Sequence, residues 1–219
     1  MGVLVHELRN TVGAVVLAYR SLKRANVSPS GSRTGAVIDH SLQRLSDLID
    51  RSLSEVRLQA APEPLLETFT LGELVDEVES PAAEFAEDGK LWLAVHADPP
   101  DAALTADRQL VVSAISNLVQ NAIKFTRPNG AVVVRLRAES DWVVMEVEDE
   151  CGGLSPGATE RLFQPFFRAS RDEAGVGLGL GLAIVRRAAE AHGGTVHVRN
   201  KPGQGCVFTI RLPRCAAVA

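Results

Sequence analysis

Long apolar runs are missing from this chain: no stretch is long enough to span a bilayer, and no signal-peptide pattern is found. Cysteine is scarce, with Cys151, Cys206 and Cys215 showing no metal-ligand spacing. Their odd number argues against a disulfide framework, and free thiols suit a reducing cytosol. An excess of positive charge is also absent. The formal net charge is −4 over 219 residues, which gives no reason to expect a nucleic-acid partner. There are no internal repeats, no low-complexity tract and no Gly-Lys-Ser/Thr phosphate loop. What is present is apolar content. Hydrophobic residues make up 46% of the chain, enough for one ordinary core plus a small helical domain.

Helix signals come first. Val5, Leu8, Val12, Val15, Tyr19 and Leu22 follow a 3-4-3-4-3 spacing, a heptad seam on a helix from about Val3 to Arg24. Turn formers at Asn26–Ser32 break it. A second helix is expected from about Thr34 to Gln59, with Ile38, Leu42, Leu45, Ile49 and Val56 on one stripe. Two helices form a hairpin that cannot enclose a four-helix core alone. A symmetric homodimer would pair two hairpins and bury all four seams. Ala61-Pro-Glu-Pro64 reads as a hinge. The expected organisation is a hairpin domain at 1–60, a linker at 61–66, a second domain at 67–214 and a tail at 215–219.

The second domain mixes helix and strand. Helices are expected at Thr70–Glu87, Asp107–Phe125 and Leu182–Ala191. Strands are expected at Leu91–His96, Ala131–Ala138, Trp142–Glu148, Thr195–Asn200 and Val207–Leu212. Ser155–Val176 reads as a long irregular segment of the kind that forms lids. The expected fold class is α+β: a helical hairpin, then a two-layer sandwich with its helices on one face of a sheet.

Three segments carry chemistry. Asn117-Leu118-Val119-Gln120-Asn121-Ala122-Ile123-Lys124-Phe125 places Asn117, Asn121 and Lys124 at i, i+4 and i+7, along one helical face. Leu118, Ala122 and Phe125 fall on a neighbouring stripe that can pack on a sheet. The polar face would offer oxygens to a hard cation such as Mg²⁺ and a positive charge to phosphates. Alone, such a face is more often simply solvated. Asp149, at a strand end, is followed by Gly152 and Gly153, where missing Cβ atoms let backbone approach a flat ligand. Its carboxylate can accept from an exocyclic amine, and adenine has one. Gly175, Gly177, Gly179 and Gly181 alternate with apolar residues and run into a helix whose N-terminus would attract phosphate.

In this order these segments resemble the N, G1, F and G2 boxes of sensor histidine kinases, in the GHKL (Bergerat-type) ATPase superfamily, with Leu162-Phe163-Gln164-Pro165-Phe166-Phe167-Arg168 as the F box. His6-Glu7-Leu8-Arg9-Asn10 resembles the family's H box. Ala191-His192-Gly193-Gly194-Thr195 and Gly203–Pro213 resemble its closing strands. The resemblance covers nearly the whole chain.

It implies ATP and Mg²⁺ as cofactors. Asp149 and Gly153 would hold adenine, while Asn117 and Asn121 would hold the metal. Lys124 would meet phosphate, and the four glycines would close over the phosphate tail. His6 would accept the γ-phosphoryl group, with Glu7 as general base. Asn10 could position a water that dephosphorylates the partner. That partner would be the receiver domain of a response regulator. Cytoplasmic localisation follows, with any membrane anchor on a segment upstream of His6, as in the catalytic core of a larger sensor kinase.

Two departures stand out. Thr11 stands where the family commonly has proline, and Cys151 where it commonly has glycine. Rival readings are another GHKL ATPase, a phosphatase or phosphotransfer scaffold with weak kinase activity, and an anti-sigma type serine kinase. The H box on a heptad helix and the intact boxes oppose them.

Overall fold

A computed structural model describes residues 64–155, 157–165, 167 and 181–214, all within one compact unit. The expected hairpin at 1–60, and with it His6, Glu7, Asn10 and Thr11, lies outside the described residues. So do Gly175, Gly177, Gly179 and the tail at 215–219.

Strand β1 (Glu67–Thr70) leads directly into helix α1 (Leu71–Asp88). Thr70 caps the helix. Its hydroxyl accepts from Glu73 N at 3.2 Å, and Glu73 Oε2 accepts from Thr70 N at 2.7 Å, a reciprocal capping box. The Thr70 N–H holds the Glu73 carboxyl below the usual range. Leu71, Leu74, Val78, Ala82 and Ala86 recur every three or four residues and are the buried stripe. Strands β2 (Trp92–Asp98) and β3 (Ala103–Ala106) follow, then α2 (Arg108–Phe125), capped by Asp107, whose Oδ1 accepts from Leu110 N at 3.0 Å. Next come β4 (Ala131–Glu139), β5 (Trp142–Asp149), α3 (Gly181–Ala191), β6 (Thr195–Lys201) and β7 (Gly205–Pro213).

Five strands form one sheet in the order β2-β4-β5-β7-β6. Only β2 and β4 pair in parallel; the remaining pairs are antiparallel. Strand alternation gives the sheet two unlike faces. Val143, Met145, Val147 and Asp149 on β5 lie opposite Leu212, Ile210, Phe208 and Cys206 on β7. All of these but Asp149 share one core with Val111, Ile115, Leu118, Leu71, Leu74 and Val185 of the helices. Each fully buried Leu or Ile contributes about 1.5–3 kcal/mol of transfer free energy. The other face carries charge. Arg135 pairs with Glu148 at 2.7 Å and Arg137 with Glu146 at 2.8 Å.

The two-layer expectation therefore describes this unit, with element ends moved by a few residues. Two features differ. The short β1–β3 ribbon was not anticipated, because four-residue strands are too brief to show alternation. A hydroxyl pair, Thr68 with Thr105 at 3.0 Å, helps hold it. Phe125 was expected on the packed stripe and is 43% exposed. Ala122 is the last buried residue of α2. One turn on, the helix ends, and buried Thr126 takes the place by the sheet.

Candidate functional site

Asp149 ends β5 on the helix side of the sheet and is 5% exposed. One of its oxygens is fixed. Oδ1 accepts from Cys151 N and from Cys206 N, each at 3.0 Å. Among the described residues no backbone N–H bonds Oδ2, no fully enclosed side-chain oxygen or nitrogen lacks a partner, and the Cys151 thiol is the side chain that bonds the carboxylate, so Oδ2 can accept from a ligand. An outward-facing acceptor on a buried, backbone-anchored carboxylate suits an exocyclic amine.

The turn after β5 is locked in place. Gly152 and Gly153 have φ of 88° and 91°, a region that favours glycine. Gly152 N donates to Gln204 O at 3.0 Å, and Gly203 N donates back to Gly152 O at 2.9 Å. Asn200 on β6 clamps the next residue with its carboxamide. Oδ1 accepts from Leu154 N at 2.9 Å, and Nδ2 donates to Leu154 O at 3.0 Å. A Cβ on Gly153 would fall 2.9 Å from Asn200 Oδ1, so the turn lies tight against the β6–β7 hairpin.

The Asn-bearing face of α2 meets the start of α3. A Cβ on Gly181 would stand 2.8 Å from Asn117 Oδ1 and 3.7 Å from Asn121 Nδ2. Any larger residue there would force the Asn117 carboxamide to shift. Asn117 Nδ2 donates to Ser113 O at 2.8 Å, which fixes the carboxamide and turns Oδ1 toward Gly181. A carboxamide oxygen presented this way is a fitting donor for Mg²⁺, which takes oxygen ligands. Asn121 is partly buried beside it, and Lys124 is exposed on the last turn, its ammonium 5.2 Å from the Phe125 ring.

Thr126 links the two parts. It caps the C-terminus of α2, and its Oγ1 accepts from Glu150 N at 3.3 Å, next to Asp149. A second tie joins the helices. His192 is 5% exposed; Asp107 N donates to its Nε2 at 2.9 Å, and its Nδ1 lies 2.7 Å from Ala188 O. A backbone N–H can only donate and a carbonyl can only accept. His192 is therefore the neutral tautomer protonated on Nδ1, and it joins the end of α3 to the N-cap of α2.

Cys151 and Cys206 lie beside Asp149, their sulfurs 3.6 Å apart. The contact with Cys151, burial, and the nearby negative charge of Asp149 all push the Cys206 thiol up, so it is neutral.

Of the sequence-derived candidates, Asn117, Asn121 and Gly181 come together, as do Asp149 and Gly153. Lys124 follows on the same helix. Thr126, Asn200 and His192 were not singled out as site residues. Their roles arise from strand register and helix ends, which single-residue patterns do not reveal.

Residues 106–216 match the family described as histidine kinase-, DNA gyrase B-, and HSP90-like ATPase. Over 212 residues the chain is 34% identical to the sensor-like histidine kinase SenX3 of Mycobacterium tuberculosis, covering 95% of this chain and 52% of that protein. It thus spans about half the length of such curated relatives. Among solved structures, the catalytic domain of histidine kinase ThkA is 29% identical with a TM-score of 0.60, over 68% of this chain and 97% of that one. Full-length ShkA, crystallised in complex with AMPPNP, is 28% identical with a TM-score of 0.76, over 100% of this chain and 46% of that one. ThkA in complex with the response regulator protein TrrA shares the fold at 24% identity and a TM-score of 0.67, over 100% of this chain and 62% of that one. The family match, the shared architecture and the similarity along 95% of the sequence lead to one conclusion: the chain belongs to the histidine kinase-, DNA gyrase B- and HSP90-like ATPases, as a sensor histidine kinase catalytic domain.

Proposed function

We propose that this chain uses ATP to phosphorylate His6 and then passes the phosphoryl group to an aspartate on a response regulator. The observation that carries the nucleotide half is Asp149, a buried carboxylate with one oxygen anchored by backbone and the other open. In this reading Asp149 Oδ2 accepts from the adenine amine, and Gly153 lets the ring approach the turn. Asn117 and Asn121 hold Mg²⁺, Lys124 meets phosphate, and Gly175, Gly177, Gly179 and Gly181 cover the phosphate tail. Bound Mg²⁺ would neutralise phosphate charge. ShkA, a structural relative, was crystallised with an ATP analogue, which supports a nucleotide at this site.

Phosphoryl transfer relies on positioning and charge neutralisation more than on covalent help from the protein. The protein must therefore bring the neutral imidazole of His6 in line with the γ-phosphorus. The attacking nitrogen forms the P–N bond as the bond to ADP breaks. Glu7 takes or orients the proton on the other ring nitrogen. Residues 1–60 would supply a dimerising hairpin, residues 61–66 a linker, and residues 67–214 the ATP-binding domain, with a tail at 215–219. Asn10, one turn beyond His6, would position the water for dephosphorylating the regulator. The complex of ThkA with a response regulator supports a receiver-domain partner. No helix among the described residues is long and apolar enough to cross a membrane, which is compatible with a cytoplasmic catalytic region.

The test is incubation with Mg²⁺ and γ-labelled ATP, for wild type and His6→Ala. Acid-labile, alkali-stable label in wild type alone is expected. Equal label in both proteins would overturn His6 as the acceptor.

A further inference from the structure

We propose that Cys151, Cys206 and Asp149 form a binding site for a thiophilic cation of the zinc class, and that its occupancy excludes nucleotide. The second half rests on the adenine-binding reading of Asp149; the first does not.

The three side chains offer ligand atoms that all lie within 4.8 Å of one another. Their frame is rigid. Asp149 and Cys206 are direct register partners on β5 and β7, and Cys151 begins the turn held by Gly152, Gly203 and Asn200. The two sulfurs are 3.6 Å apart. Two thiolates on one tetrahedral ion, each at about 2.3 Å, stand about 3.7 Å apart, so the two sulfurs need almost no movement relative to each other to share an ion. A disulfide would require the sulfurs to close to about 2.05 Å. Asp149 Oδ1 is held by two N–H groups while Oδ2 is open, so a third bond can form without breaking the anchor. Two sulfurs and one oxygen suit zinc, whereas Mg²⁺ takes oxygen donors. Cys206 is fully buried and Cys151 is partly exposed, so the ion enters from the Cys151 side. Binding deprotonates both thiols and releases two protons to solvent, leaving a dithiolate–carboxylate site with one position for water. An ion on Oδ2 occupies the acceptor that the adenine amine needs.

The full, reduced chain is titrated with Co²⁺ in Mg²⁺ buffer, then with Zn²⁺. Thiolate-to-cobalt absorption should saturate at about one ion per chain, with about two protons released, and Zn²⁺ should abolish the absorption. Cys151→Ala, or Cys151→Ser where alanine disturbs the turn, should lose both signals. A fluorescent ATP analogue should bind at least about tenfold more weakly once zinc is present, with recovery on adding a zinc-selective chelator and no zinc effect in the Cys151 variant. The absence of a thiolate band with both thiols confirmed reduced, or a band unchanged in the variant, would overturn the metal site. A band with nucleotide binding indifferent to zinc would overturn the exclusion. A normal band in a chain that never binds nucleotide, even without zinc, would support the metal site and contradict the adenine reading instead.

Discussion

Glu148 and Asp149 are adjacent on β5, and strand alternation sends them to opposite faces of the sheet. Glu148 lies on the charged face, where Lys201 Nζ is 2.5 Å and Arg135 Nη1 2.7 Å from its oxygens. Those two cations, Lys201 first, hold its carboxyl below the usual range. Asp149 lies on the helix face and is nearly buried, and the groups that bond it carry no charge: two backbone N–H groups and the Cys151 thiol. One carboxylate spends both oxygens on neighbouring charges and serves the fold. The other is fixed through a single oxygen and keeps the second for something else. Two residues of the same charge can thus divide structural and ligand-binding work, and the faces of one strand decide which does which.

The largest break in this comparison should come from Gly205→Ala. A Cβ there would overlap the Asp149 carbonyl oxygen, a backbone atom that cannot step aside. The β5–β7 register would shift, and the anchor on Oδ1 would be lost with it. A destabilisation of about 3 kcal/mol or more is expected, read as a fall in the urea midpoint. His192→Ala should cost about 2 kcal/mol in the same measurement, because it strips the acceptor from the part-buried Asp107 N–H and leaves a cavity where the buried imidazole packs. The smallest effect belongs to Glu148→Gln. The side chains of Glu148, Lys201 and Arg135 are 29%, 31% and 37% exposed, so solvent screens the pairs and less than about 1 kcal/mol is expected. Its sign with pH is fixed. Because the folded pKa lies below the ordinary 4.5, the contribution is full above that value. It is lost as pH falls through the folded value. Wild type and Glu148→Gln should differ in thermal midpoint at neutral pH and converge in acid.

Much of this unit could be read in the sequence because its elements are long and periodic. The buried stripe of α2 runs Val111, Ala114, Ile115, Leu118, Val119 and Ala122, a pattern visible without coordinates. Asp149 was legible as a strand-end acid before paired glycines. That it is anchored by Cys206 N was not, since the contact depends on the β5–β7 register across 57 residues. The closeness of Gly181 to Asn117 was likewise invisible, because it depends on how two helices pack. Phe125 fitted the helical period and is exposed, because the period does not say where the helix leaves the sheet.

The most direct test of the account is equilibrium binding of ATP and GTP, with Mg²⁺, to wild type and Asp149→Asn. The carboxamide oxygen can keep the anchor of Cys151 N and Cys206 N, while its amide nitrogen replaces the open acceptor with a donor. Wild type should prefer ATP, whose adenine presents an amine to Oδ2. The variant should lose about 2–3 kcal/mol of ATP affinity with little change in melting temperature. Equal ATP binding by both proteins would contradict the claim that Asp149 reads the base.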